Sequence, residues 1–484
     1  MANFREYADY DGLGLAELIR GGQVSAQEVL EAAIAQAERV NAQLNAICLR
    51  DDALARRTLS AGAPQGPFCG VPFLLKDLGA ASPDLPATSG SRFFRGATVD
   101  FESNLVARYR RAGFVLWGRT TSPELGMCPS TEALTYGGPT RNPWHLEHSS
   151  GGSSGGAGAT VAARVLPLAH ASDGAGSIRI PGAACGLFAL KPTRARTPAG
   201  PRVGEGWGGL AIEHVVARSV RDSAAALDAT HGSDPGAPYV APALARPYLE
   251  EVARDPGRLR IAFLKTTFDG NSINPEIVAA LEDTARLLAG LGHELTEDRP
   301  AGFDNRAMLG ALIRMMAAGA ALAVRERSRQ LGRAPHEDDL EPATWGALEL
   351  ASTTGATDYL DSLNTLHRVA RGVAPFFERY DVLLTPVFTR HVARLGEITM
   401  CKRDFVGYRT GPGGVSEYSA WTPLANVTGQ PAMSVPLAWS RDGLPIGMQF
   451  IGRFGDEATL FRLGAQLEQS RPWRDRLPPI LNEK

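Results

Sequence analysis

Ser25-Ala-Gln-Glu28 is a capping box, and the apolar residues behind it (Val29, Leu30, Ala33, Ile34, then Val40) recur at helical spacing. Further along, short apolar runs alternate with helical periods. Residues 71–75 read as a buried strand running into Lys76. Residues 103–112 read as a helix, 114–117 as a strand, 157–165 as a helix of small residues, and 166–169 as a strand. A strand at 259–264, a helix at 275–291 and a strand at 293–295 make another unit. A long helical tract follows over about 305–330 and 342–380. Strands at 381–384, 432–436 and 448–451 and a helix at 457–469 complete the pattern. Strands alternating with helices predict an α/β fold built on a sheet. With no repeat and no long linker, residues 1–484 read as one large domain carrying a helical insertion at about 300–380.

Composition narrows the class. At 484 residues, 44% hydrophobic and 21% charged, the chain is too apolar to be disordered and long enough for a large core. Fifty basic against 52 acidic residues, net −2, give no strong electrostatic drive toward nucleic acid or an anionic membrane. Cys48, Cys69, Cys128, Cys185 and Cys401 are odd in number and widely spaced, and the nine histidines form no H-E-x-x-H. Neither a disulfide framework nor a metal site is expected, and no cofactor is implied. No run of 18 apolar residues occurs, and residues 1–14 are too polar for a signal peptide, so a soluble, cytoplasmic protein is expected. Only five basic residues are lysines: Lys76, Lys191, Lys265, Lys402 and Lys484. Lys76, among Phe73, Leu74, Leu75 and Leu78, stands out for its apolar setting.

The most unusual composition is residues 148–159, with five glycines and four serines. A flexible linker is one reading, although structured apolar sequence borders it. A phosphate-cradling loop would need a lysine that is missing. A dinucleotide-binding turn needs a preceding strand, and residues 142–147 make a poor one. Gly151-Gly-Ser153-Ser-Gly155 also fits the nucleophile elbow, which needs the same missing strand. Downstream lies Asp173-Gly-Ala-Gly-Ser177-Ile-Arg-Ile-Pro181. A glycine-rich approach to one serine lets backbone N–H groups converge, as in an oxyanion hole, whereas a plain turn before a strand is the bland alternative.

Taken together these stretches resemble the amidase signature family. The resemblance rests on Gly70-Val-Pro-Phe-Leu-Leu-Lys76-Asp-Leu, Gly118-Arg-Thr-Thr-Ser-Pro-Glu124, Arg141-Asn-Pro-Trp144, Gly151-Gly-Ser-Ser-Gly-Gly156, the 173–181 run and Gly186-Leu-Phe-Ala-Leu-Lys-Pro-Thr193. Asp381-Val-Leu-Leu-Thr-Pro386, Asn426-Val-Thr-Gly-Gln-Pro431 and Leu444-Pro-Ile-Gly-Met-Gln449 continue it to the far end. It implies the amidase signature fold, a large mixed twisted sheet covered by helices on both faces, with a core over about 65–220. It also implies a Ser–cisSer–Lys triad of Ser177 (nucleophile), Ser153 (proton relay, after a cis peptide bond) and Lys76 (base). The hole would be the N–H groups of Gly174, Ala175, Gly176 and Ser177. Ala175 replaces a glycine usual in the family and is expected to keep a negative φ. Asp173 and Arg179 read as structural. Met127 and Cys128 fall where the family lines the acyl pocket, core packing being the alternative. The tract 308–316 is pocket wall or plain core, and Trp207, among glycines, is a candidate substrate gate.

The resemblance implies a hydrolase of amides or carbamates acting through an acyl-enzyme. The alternative is the glutaminase subunit of a tRNA-dependent amidotransferase. That subunit continues Tyr-Gly-Arg after Lys-Pro-Thr193, where this chain has Arg194-Ala-Arg, and it usually has glutamine in place of Ile180. Residues 194–201, Ala175 and Ser219-Val-Arg-Asp222 look most like the 6-aminohexanoate cyclic-dimer (nylon-oligomer) hydrolases, with urethane-cleaving amidases another relative. The implied partner is a small amide or carbamate, without nucleic acid or membrane. A homodimer is compatible with the resemblance.

Overall fold

The computed structural model describes residues 4–482, so the reading of the N-terminal segment reaches it only from Phe4 onward and Lys484 lies outside it. In chain order the strands are β1 (Ile47–Arg50), β2 (Pro72–Lys76), β3 (Val115–Thr120), β4 (Arg141–Asn142), β5 (His145–Ser149), β6 (Leu168–Asp173) and β7 (Phe188–Lys191). They continue with β8 (Ile212–Ala217), β9 (Arg260–Phe263), β10 (Glu294–Glu297), β11 (Val382–Pro386), β12 (Ala432–Trp439) and β13 (Pro445–Gly452). Eight of them form the central sheet in the order β10-β9-β11-β13-β12-β7-β8-β6. The pairs β10/β9 and β9/β11 are parallel, and the remaining pairs are antiparallel. A three-stranded sheet, β1-β3-β2, carries Lys76 at its edge.

Both faces of the large sheet are covered, which is why its strands read as nearly continuous apolar runs. Successive side chains point to opposite faces. Val382 and Leu384 accordingly enter one core and Leu383 the other, and Phe188 and Leu190 separate from Ala189 in the same way. The fold is the α/β arrangement that the alternation of strands and helices predicts, with the large mixed sheet that the family resemblance implies.

Several elements differ from the sequence reading. The tract 342–380 is three helices, Pro342–Ser352, Ala356–Val373 and Phe376–Arg379, interrupted around Gly355 and Pro375. The expected strand at 166–169 begins later and runs on to Asp173, because its polar residues His170 and Asp173 are buried rather than turned to water. Residues 142–147, read as a poor strand, do belong to strands: Asn142 ends β4 and residues 145–147 open β5, the two pairing in a ribbon outside the main sheet. The helix Asn305–Leu331 has no uninterrupted apolar run of 18, yet its mean hydropathy reaches 1.8 over an 18-residue window, enough by length and composition to cross a membrane. Half of that window is buried, and the helix packs on Pro342–Ser352 and Ala356–Val373.

Candidate active site

Strand β2 is buried throughout and pairs in parallel with β3, ending at Lys76 opposite Thr120. Lys76 has no exposed surface. Its Nζ donates to Ser153 Oγ at 2.6 Å and to Ser172 Oγ at 3.0 Å. Burial pulls its pKa down to about 7, against the carboxylates of Glu213 and Asp173, which pull it up. Asp77, the acid next to it in sequence, is turned away: it accepts hydrogen bonds from Thr88 N at 2.6 Å and Tyr136 Oη at 2.5 Å. The acids that Lys76 feels are therefore not the one its sequence neighbourhood offers.

Ser153 follows a cis peptide bond from Gly152. Gly152 is required for space, since a Cβ there would lie 2.5 Å from Cys128 O. Ser153, Ser172, Gly174 and half-buried Ser177 open on one cavity of about 500 Å³. Ser177 and Trp207 also border a second, smaller cavity of about 40 Å³, which Ser153 does not line. Trp207, at φ +50° between Gly206 and Gly208, stands between the two. Its indole packs on Gly174 and on Gly319.

The loop carrying Ser177 is held from below. Asp173 Oδ1 accepts from Gly176 N at 2.6 Å, and Asp173 Oδ2 from Ile178 N at 3.1 Å. Of the expected oxyanion set, the Gly176 N–H is committed to Asp173, whereas those of Gly174, Ala175 and Ser177 make no hydrogen bond among the described residues. Ala175 avoids positive φ, as expected, because Gly176 makes the turn at φ +131°. Arg179 pairs with both oxygens of Asp173 at 3.0 Å and donates to Asn426 Oδ1, Gln449 Oε1 and Thr422 O. Burial alone would raise the Asp173 carboxyl, and the Arg179 guanidinium overrides it, holding the group well below the ordinary carboxylate range. Thr422 Oγ1 adds a bond to Ala175 O at 2.8 Å. The distant Asn426 and Gln449 motifs thus converge beneath the loop that carries Ser177, and every nitrogen of Arg179 is spent on holding that loop.

Met127 and Cys128 are buried, and both border the smaller cavity, so packing and lining coincide. From the 308–316 tract, Leu309, Leu312, Ile313 and Met316 reach the same cavity, while Met308 and Met315 do not line it.

Sequence reasoning missed the pair behind Lys76. Buried His170 accepts the Lys76 backbone N–H on Nδ1 at 3.0 Å, which fixes the neutral ring with its proton on Nε2, 3.6 Å from Glu213 Oε2. Burial lowers the pKa of His170, with Glu213 opposing. Glu213 itself lines the large cavity. Replacing Glu213 by glutamine removes an anion that favours protonated Lys76, so the acid limb of the kcat/KM profile should move to lower pH. An unmoved or upward-moved limb would rule out the coupling.

A glycine-rich loop aimed at one serine, backed by a buried Lys–Ser contact on an α/β sheet, is the arrangement of the amidase signature enzymes. The amidase family pattern matches residues 28–461, and the chain belongs to that family: it is a hydrolase of amide bonds. A 6-aminohexanoate-cyclic-dimer hydrolase of Pseudomonas sp. (strain NK87) is 38% identical over 480 residues, covering 98% of this chain and 97% of its own length. A solved structure of a 6-aminohexanoate cyclic dimer hydrolase complexed with substrate matches with a TM-score of 0.93 at 37% identity, covering 98% of this chain and 100% of that one. A bacterial aryl acylamidase of the same family matches with a TM-score of 0.88 at 26% identity, over 98% and 99% of the two chains.

Proposed function

We propose that the chain hydrolyses small linear or cyclic amides through an acyl-enzyme on Ser177. Ser177 Oγ attacks the carbonyl carbon, and its proton passes through Ser153 Oγ to neutral Lys76 Nζ. The carbonyl oxygen, now an anion, faces the free N–H groups of Gly174, Ala175 and Ser177. Collapse breaks the C–N bond, and the proton returns from Lys76 through Ser153 to the departing nitrogen. Water then attacks the acyl ester by the same relay and releases the acid. The observation that carries the reading is the 2.6 Å contact between a fully buried Lys76 and Ser153, on the cavity that Ser177 also borders. A depressed amine pKa near 7 supports it, because a base must be unprotonated to act.

Similarity to the cyclic-dimer hydrolase supports small, flexible amides as substrates. Carbamates present the same carbonyl and amine leaving group. The test is a panel of short aliphatic amides, anilides, cyclic amides, carbamates and glutamine, offered to the purified chain alone. Turnover of amides without any partner is expected. Activity confined to glutamine, and appearing only with a partner subunit and tRNA, would transfer the chain to the amidotransferase reading.

A further inference from the structure

The smaller cavity contains a cation that no anion of the described chain neutralises. Arg409, on the short helix Phe405–Thr410, is 5% exposed and lines this cavity together with Ser416. Its Nη2 donates to Met127 O, but its Nε has no hydrogen-bond partner. The other buried arginines of the site have every nitrogen hydrogen-bonded, Arg327 among them. Arg179 has Asp173, Asn426 and Gln449. Arg119 spends Nε, Nη1 and Nη2 on the carbonyls of Leu85, Lys76 and Ala80. The Arg409 guanidinium also lies over the rings of Phe405 and Tyr408, at 5.1 and 5.4 Å, but these leave its Nε donor idle, and a buried idle donor is unfavourable until an acceptor reaches it. Guanidinium pairs best with a planar carboxylate.

The chemistry fixes which part of a substrate lies there. Ser153 lines the large cavity and not the small one, so the nitrogen that receives its proton leaves through the large cavity. The acyl part then points the other way, past Ala175 and Gly152, along Leu312, Ile313 and Met316. Those side chains suit methylenes, and a volume of about 40 Å³ admits only a short chain. We propose that this cavity is a carboxylate-recognising acyl subsite, in which Arg409 pairs with the far carboxylate of ω-carboxyacyl amides, the half-amides of short dicarboxylic acids. The proposal rests on Ser177 as nucleophile and Ser153 as relay.

The experiment compares glutaric acid monoanilide with 5-methylhexanoic acid anilide, in which an isopropyl group replaces the carboxylate. Titration calorimetry with glutarate alone accompanies it. Wild-type kcat/KM should favour the carboxylate substrate by about tenfold or more, the worth of a charge-assisted hydrogen bond. Arg409→Met should bring the ratio to about one or below, Arg409→Lys should keep part of the preference, and glutarate should bind the wild type but not Arg409→Met. Circular dichroism identifies a variant that fails to fold. The wild-type measurements decide the matter without any variant. A ratio of one or less while both anilides are hydrolysed overturns the subsite and leaves the Ser177 mechanism standing. If neither anilide turns over, the mechanism is in question and glutarate decides the subsite: no binding at millimolar concentration overturns it.

Discussion

Replacing Ser177 by alanine should lower kcat for any amide substrate by about 10⁴-fold or more. The expectation follows from what remains afterwards. The three free loop N–H groups, both cavities and the Lys76–Ser153 contact would all persist, so substrate should still bind with little change in affinity. Without an oxygen at position 177, no acyl ester can form, and catalysis falls back on what polarisation of the carbonyl alone provides. A sulfonyl fluoride should label the same oxygen. Retention of more than about a tenth of the wild-type rate would remove Ser177 as nucleophile. Peptide mapping that found the label on Ser153 would favour an elbow-type serine at that position instead.

Lys76→Ala should be nearly as damaging for amides, and it separates this site from hydrolases that use a histidine base. At its pKa of about 7, Lys76 is mostly protonated in mild acid and mostly neutral above neutrality. Activity should therefore rise with pH through about 7 and stay high into mildly alkaline solution, where an unperturbed lysine at ~10.4 would still be charged. An activated ester, whose leaving group needs no proton, should lose less than an amide. Lys76→Arg should not restore amide hydrolysis, because guanidinium does not deprotonate in this range. Near-normal amidase activity in Lys76→Arg would falsify the assignment. So would a pH dependence that disappears on replacing His170 but survives at position 76.

How far the chemistry could be read ahead of the fold depends on what local sequence encodes. Lys76 was legible because a rare lysine at the end of an apolar strand is conspicuous, and Ser177 because its glycines are contiguous with it. Among the supports of the loop, Asp173 and Arg179 read as structural from the start, whereas Asn426 and Gln449 stood only in motifs without a stated purpose. Asn426 and Gln449 lie far from Asp173 in the chain, and only strand order and helix placement bring them to Arg179. His170 and Glu213 were invisible for a related reason. His170 faces the backbone of Lys76 because β6 packs beside β2, and Glu213 follows from the register of β8 against β6, with Ser172 opposite it. The commitment of Gly176 to Asp173 is a matter of turn geometry, which no residue type announces. Arg409 reads in sequence as one arginine among many, and its idle Nε appears only when its neighbours are placed in space.

The packing of Trp207 makes the tolerance of three positions conditional on one another. A Cβ at Gly319 would lie 2.5 Å from the indole Cδ1, and one at Gly174 would lie 2.8 Å from its six-membered ring. Neither glycine can be enlarged while the tryptophan keeps its place, and a smaller residue at 207 would relieve both at once. Substitutions at these sites are therefore epistatic. A change at 319 that is harmful in this chain is permitted in a descendant that has already lost the tryptophan. The same loss of Trp207 that frees those positions also removes the side chain that both cavities share as a wall.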